Sequence, residues 1–275
     1  MLSQADRASY RERGFVVVPG LLPEERCIDG LVAIDRLLCL RVPEWKPSSR
    51  ARVSDELHDK VQELARRDRA SLAVVYDAMR KVSSFWSLVG SPELTAAAGE
   101  LLETDLVGVA FRGCGIRLDL PHEDKWRSAW HQEYHSQMSS LRGVTAWFGL
   151  VGVTPAMGPV DLLVGSHREG LLPVRCDDPM NTRKDYTATF VHPDIEGVVK
   201  RYELASQATG PGDVVFLDFL TVHQSGWNRD ERRSRVTCQV RLFDMLDESA
   251  VRLGWKGGWQ EGGDFRQAHP DKILP

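Results

Sequence analysis

The chain has 275 residues, 42% of them hydrophobic and 27% charged, which suits a folded protein with a sizeable core rather than a disordered or repeat chain. A net charge of −4 argues against a general electrostatic grip on nucleic acid. No apolar run approaches the roughly 20 residues that span a bilayer, and the charged start MLSQADRASYRERGF lacks a signal-peptide core, so a cytoplasmic location is expected.

Residues 3–13 are predicted to form a short helix capped by Ser3. FVVVPGLL (15–22) reads as a strand ending in a Pro-Gly turn. PEERCIDGLVAIDRLL (23–38) is an amphipathic helix whose proline and two glutamates suit a helix N-terminus. Residues 43–50 read as a loop, and 53–103 as mostly helical with a break near Gly90-Ser91-Pro92. After Leu106 the pattern changes. Segments 105–120, 143–153, 158–166, 212–223 and 234–243 are strand-like and separated by turn residues, as in a sandwich or barrel. Residues 173–207 read as a long, polar, irregular insertion of the kind that covers a site, and 254–263 as a Gly/Trp-rich tail segment. With no clean linker, the expectation is one domain over 1–275: a helical layer to about 104, a β core over about 105–245, and a C-terminal tail. The cysteines at 27, 39, 114, 176 and 238 are odd in number and widely spaced, so all five are expected as small core residues.

WHQEYHSQ (130–137) holds the first chemical signal. In a strand, His131 and Glu133 share a face about 6.6 Å apart. His135 would lie about 13 Å from His131, too far for a common ion, so it is expected to line the pocket or face solvent. His223, closing the apolar run VVFLDFLTV, is the best third ligand. Two histidines and one carboxylate form the facial triad of non-haem Fe(II) oxygenases. By itself an H-x-E is a weak signal, and His167 and His223 also fit as turn histidines. His122-Glu123-Asp124 lacks the spacing of a zinc protease. His58, His192 and His269 sit in polar surroundings, where an exposed imidazole is the default.

Several segments together resemble the phytanoyl-CoA dioxygenase family of Fe(II)- and 2-oxoglutarate-dependent oxygenases. They are YRERGFVVVPGLLPEE (10–25), WHQE (130–133), VTAWFGL (144–150), LVGSHREG (163–170), PGDVVFLD (211–218) and HQSGWNRDERRSR (223–235), in the family's order and at about its spacing. The resemblance implies a mainly β fold with flanking helices and a double-stranded β-helix (jelly-roll, cupin-like) core. It implies iron held by His131, Glu133 and His223, with O2 and 2-oxoglutarate as cosubstrates. Glu133 stands where the family mostly has aspartate, and Met157-Gly158 and VGSH depart from its Asn-Gly and PGSH.

The distal carboxylate of 2-oxoglutarate calls for a buried arginine. From 234 onward Val236, Cys238, Val240 and Leu242 share one face, and Arg235, Thr237, Gln239 and Arg241 the other. With the apolar face against helices, Arg235 lines the interior as the anchor. Arg233 lies in the turn, and Arg229 and Arg232 read as solvated. By resemblance, Ser225 shares that carboxylate. Arg117 is either a cosubstrate or substrate contact or a surface ion pair with Asp119. Trp147 is either an aromatic wall or plain core. The expected reaction is hydroxylation of a small polar metabolite, derived from a sugar, cyclitol or amino acid. Asp119, Glu123, Asp124, Tyr134 and His135 near the metal motif suggest that polarity. A 2-oxoglutarate-independent metal enzyme and a non-catalytic binding protein are the alternatives. The oligomeric state is not specified.

Overall fold

The structure, a computed structural model, describes residues 1–175, 192–256, 265 and 267–274. The first helix, α1 (Gln4–Arg13), starts at Ser3, whose hydroxyl accepts from the Asp6 amide while the Asp6 carboxylate accepts from the Ser3 amide. It stops at Gly14, whose φ of +79° suits glycine and whose amide donates to the Tyr10 carbonyl. β1 (Phe15–Val18) follows, then α2 (Glu24–Arg41). The 53–103 region divides into α3 (Val53–Arg67), α4 (Arg69–Met79), α5 (Ser83–Val89) and α6 (Pro92–Leu102), with Ser91 capping α6 ahead of its first-turn proline. Buried Cys27, Leu31, Ile34 and Leu38 on α2 meet Leu57, Val61 and Leu64 on α3. Lys60 closes this layer with a 2.6 Å ion pair to buried Asp35.

The strands are β2 (Val107–Val109), β3 (Gly115–Asp119), β4 (Gly143–Gly149), β5 (Val160–Leu163), β6 (Leu204–Ser206), β7 (Val214–Asp218), β8 (His223–Ser225) and β9 (Arg235–Asp244). Three further short α-helices lie among the described residues: α7 (Tyr134–Gln137), α8 (Ile195–Arg201) and α9 (Glu248–Arg252). The larger antiparallel sheet runs β1-β7-β4-β9-β2, with β3 also paired to β9; the smaller one runs β6-β5-β8. The helices α6 and α4 pack on the large sheet, at β9 and β4 and at β3 respectively. Val236, Cys238, Val240 and Leu242 are fully buried in the core on that side, as the strand phase required.

Four expectations change. Among the described residues helices outnumber strands in length, so the fold is mixed rather than mainly β, with two antiparallel sheets and no closed barrel. The insertion expected over 173–207 contains α8 and β6, while 176–191 lie outside the described residues, as do Cys176 and residues 257–263 of the tail. Cys27, Cys114 and Cys238 are buried, but Cys39 is half-buried. His58 and His269 are buried, His58 beside Ala156 and the 229–233 segment and His269 against Tyr134 and Phe265. No helix among the described residues is long and apolar enough to cross a membrane.

Gly14 and Gly20 separate two causes of strain. Both have positive φ, but a Cβ at Gly14 would meet His167 and Thr221 at 2.4 Å, while Gly20 has open space. Gly20→Ala is expected to cost about 1–2 kcal/mol, the left-handed backbone penalty alone. Gly14→Ala should cost distinctly more. Denaturant titration of both variants checks the order, and equal losses would refute the clash.

Candidate metal centre and its cavity

His131 and His223 lie far apart in sequence, yet their backbones pair. Each amide donates to the other's carbonyl, at 2.9 and 3.0 Å. This two-residue bridge extends the β8 edge and sets the two imidazoles side by side, ring centroids 4.2 Å apart. The strand expected through WHQE is therefore only an isolated bridge. Glu133 has helical backbone angles, φ −63° and ψ −37°, just ahead of α7. The chain turns there, and this turn, rather than strand periodicity, brings the carboxylate back to the imidazoles. Ligand atoms of His131, Glu133 and His223 all lie within 4.8 Å of one another. The same turn carries His135 away, its Nε2 lying 3.0 Å from the Leu172 carbonyl and its Nδ1 3.4 Å from that of Gln132, so it is neither a ligand of this cluster nor exposed.

The donor set suits a divalent metal. Nδ1 of His131 sits 2.7 Å from the Ala129 carbonyl, and Nδ1 of His223 2.9 Å from that of Thr221. A carbonyl only accepts, so both rings carry the proton on Nδ1 and leave the Nε2 lone pair free for an ion. Burial, followed by the neighbouring His223, pushes the His131 imidazolium down to about 3, which keeps it neutral near pH 7. Burial alone would raise the Glu133 carboxyl. Arg241 and then the two histidines reverse this and hold it well below the usual range. Two neutral imidazoles and one carboxylate are the ligands that Fe(II) takes.

This cluster opens into a cavity between the sheets. Trp147 and Thr145 of β4, Val160 of β5, Leu217 of β7 and Ser225 of β8 line it. From β9 come Arg235, Gln239 and Arg241, one face of the strand as the period-2 reading placed them. Arg235 is 3% exposed; Arg233 is half-exposed and paired with Asp230, and Arg232 is exposed and paired with Asp59. Arg235 donates through Nε and Nη2 to Asp119 at 3.2 and 3.0 Å, and through Nη1 to the Gly226 carbonyl at 3.1 Å. Arg117 pairs with the same aspartate at 2.8 Å. Burial would raise the Asp119 carboxyl, but Arg117 and Arg235 hold it at about 2. The expected Arg117–Asp119 pair is thus present, in the interior rather than at the surface. Trp147 is both wall and core, 5% exposed and part of the main cluster.

A second cavity, of about 290 Å³, adjoins the first between α4 and β3. Ser128 lines both, and Arg117 belongs to the second. Of the polar groups that suggested a polar substrate, Tyr134 bonds His269, Asp124 pairs with Arg127, and His135 is buried elsewhere. Only Asp119 lines either of these cavities.

Sequence reading missed the contacts around Glu133. Its carboxylate meets Gln137 Nε2 at 3.3 Å, Thr145 Oγ1 at 3.4 Å and Arg241 Nη2 at 3.3 Å. Arg241 was placed on the inner face by parity, but its partner depends on sheet register.

A family model described as phytanoyl-CoA dioxygenase (PhyH) matches residues 10–237. Among solved structures, the chain is similar to the epimerase SnoN in complex with Fe3+, alpha ketoglutarate and nogalamycin RO. There 95% of this chain and 96% of that one align at 18% identity, with a TM-score of 0.60. It is also similar to EvdO2 from Micromonospora carbonacea var. aurantiaca complexed with 2-oxoglutarate (20% identity, 88% and 91% covered, TM-score 0.56). A third is EctD from S. alaskensis with bound Fe (16%, 90% and 78%, 0.55). At these identities the likeness is one of fold. No curated protein matches the sequence.

The buried histidines give an acid limit to stability. Burial depresses His135 from its ordinary 6.5 to about 4. Between those values the unfolded chain binds a proton that the folded chain refuses, so stability falls as pH drops below 6.5. For His135 the loss at pH 5 is about 2 kcal/mol relative to pH 7.5. Metal-free His135→Gln should lose that much less than the parent between the two pH values. Equal losses in denaturant titrations would refute it.

Proposed function

The chain belongs to the phytanoyl-CoA dioxygenase family, and from that premise we propose that it hydroxylates an unactivated C–H bond of a small polar metabolite, with Fe(II) held by His131, Glu133 and His223. It is an Fe(II)- and 2-oxoglutarate-dependent oxygenase. The observation that carries the reading is the convergence of these three side chains, within 4.8 Å, in a cavity that also holds Arg235. When bound, the iron and 2-oxoglutarate supply the oxidising chemistry, O2 being consumed and succinate and CO2 released. The rest is the work of the protein. The two Nε2 atoms and one Glu133 oxygen would hold the ion, three protein ligands that would leave room for cosubstrates. Arg117 and Arg235 both pair with Asp119. The buried Arg235 guanidinium, at the cavity wall with Ser225, is the natural bidentate partner of a carboxylate, which supports it as the distal anchor of 2-oxoglutarate. Trp147, Val160 and Leu217 keep that end dry. On this reading the two sheets facing the cavity are the halves of a double-stranded β-helix.

The second cavity is the substrate chamber in this proposal. Leu72, Tyr76 and Trp126 give it an apolar wall, and Arg69 and Asp77 a charged one. Such a chamber suits a ring that bears polar groups better than a plain acyl chain, because groups on the ring can hydrogen-bond to Asp77 and to the Arg69–Glu123 pair, which an acyl chain cannot do. SnoN and EvdO2 share this fold, and nogalamycin RO, the compound bound to SnoN, supports a natural-product intermediate as the substrate.

Three experiments test the reading. Succinate release is measured with Fe(II), 2-oxoglutarate and a panel of sugar-, cyclitol- and amino-acid-derived metabolites. Stimulation by none of them, with turnover of long-chain acyl-CoA, overturns the substrate class. His131→Ala, Glu133→Ala and His223→Ala should each abolish Fe(II) binding, and one that kept it would remove that residue from the ligand set. Arg235→Ala should raise the half-saturating 2-oxoglutarate concentration about 100-fold, on the order of 3 kcal/mol. Arg232→Ala should leave it unchanged.

The chamber is tested separately. Ala73→Trp fills it from α4. Fe(II) and 2-oxoglutarate binding should persist while substrate-stimulated succinate release falls at least about tenfold, since a filled chamber removes the substrate and not the cosubstrate. Undiminished stimulation in this variant would place the substrate elsewhere.

A further inference from the structure

Arg241 is 5% exposed, and its guanidinium is held on several sides. Nη1 donates to the Gly113 carbonyl, and Nη2 to Gln239 Oε1 at 3.1 Å. Nη2 also stands 3.3 Å from both oxygens of Glu133. Cross-strand register explains the position. Arg241 on β9 lies directly opposite Thr145 on β4, and both side chains reach the same carboxylate from the inner face of the sheet. Gln137 approaches from α7. Glu133 is thus restrained by donors from three elements, which matters for a side chain with one more rotatable bond than aspartate.

The three restraints differ in one respect. Thr145 and Gln137 are neutral, whereas Arg241 keeps its charge at any accessible pH. Glu133 and Arg241 carry opposite charges in contact, so the guanidinium offsets part of the negative charge that the carboxylate brings to an ion. A fixed buried cation beside a metal ligand acts unequally on two oxidation states. It opposes Fe(III) more than Fe(II), because the repulsion scales with the charge of the ion. Holding the carboxylate in place, by contrast, serves both states alike.

We propose that Arg241 is a positioning residue that holds Glu133 and, through its fixed charge, biases the bound metal toward the ferrous state. The proposal rests on the metal reading above and adds to it a control of the one-electron couple, Fe(III) + e⁻ ⇌ Fe(II). No new reaction is invoked; the charge shifts the position of this equilibrium and slows loss of an electron to dissolved O2 when substrate is absent.

The test compares the parent with Arg241→Gln and Arg241→Lys, each loaded anaerobically with Fe(II). The midpoint potential is measured by mediated titration, and the survival of Fe(II) in air with a ferrous-specific chelator. Arg241→Gln should shift the potential downward and speed loss of Fe(II) at least about tenfold, since a unit charge is removed from beside the ligand set. Arg241→Lys keeps the charge but not the fork, so its potential should stay near that of the parent while Fe(II) binds more weakly. Should Arg241→Gln not fold, Gln239→Glu gives the same reading by another route. It places a carboxylate against the guanidinium and should also lower the potential, whereas Gln239→Ala should not. A potential that ignores both Arg241→Gln and Gln239→Glu overturns the inference and leaves the metal reading standing. A parent that binds no Fe(II) overturns both.

Discussion

Two backbone hydrogen bonds hold the site together. The reciprocal pair between His131 and His223 joins segments that the sequence keeps far apart. Closing so long a loop carries an entropic cost that two bonds cannot offset alone. The large sheet offsets it. β7 runs into β8 just ahead of His223, and β7 is itself pinned between β1 and β4. Once the sheet forms, the bridge costs little more, and the rings then stand 4.2 Å apart with their Nδ1 protons committed to carbonyls. The metal-binding geometry is thus a by-product of strand pairing, and the rigidity of the sheets is passed on to it.

The second constraint is charge in a dry interior. Arg235, Arg241, Arg117, Asp119 and Glu133 are all largely buried, and none would be tolerated there singly. They are arranged as two groups along one strand face. Arg235 with Asp119 and Arg117 stands at one end of β9, and Arg241 with Glu133 toward the other. The first group joins two guanidiniums to one carboxylate, and the second joins one guanidinium to one carboxylate. The apolar residues between them raise the strength of every such contact by excluding water.

The helical layer serves this arrangement indirectly. It covers the outer face of β9, so that Val236, Cys238, Val240 and Leu242 are buried and the alternate residues are forced inward. A slip of one residue in this strand would exchange the faces, placing arginines among the helices and valines in the cavity. The many packed side chains of α2, α3 and α6 are therefore also a device for keeping register. Lys60 and Asp35, paired within that layer, fix the approach of α3 to α2.

Local chemistry was legible in the sequence wherever it acts over a few residues. Ser3 and Gly14 mark the ends of α1, Ser91-Pro92 marks the break before α6, and the alternation after Ser234 assigns the faces of β9. Caps, turns and strand parity depend on neighbours within about four residues, so the chain states them directly. His131, Glu133 and His223 could be named as one set because their residue types and order are also sequence properties. How they meet was not legible. A period-2 strand was expected through WHQE, whereas an isolated bridge followed by a helical turn brings Glu133 round. That turn, the burial of His135, His58 and His269, the sharing of Asp119 by two arginines and the contact of Arg241 with Glu133 all depend on pairings between distant segments. Register and packing set those pairings. They are long-range quantities, decided only when the whole sheet and its covering helices assemble, and the tertiary structure alone records them.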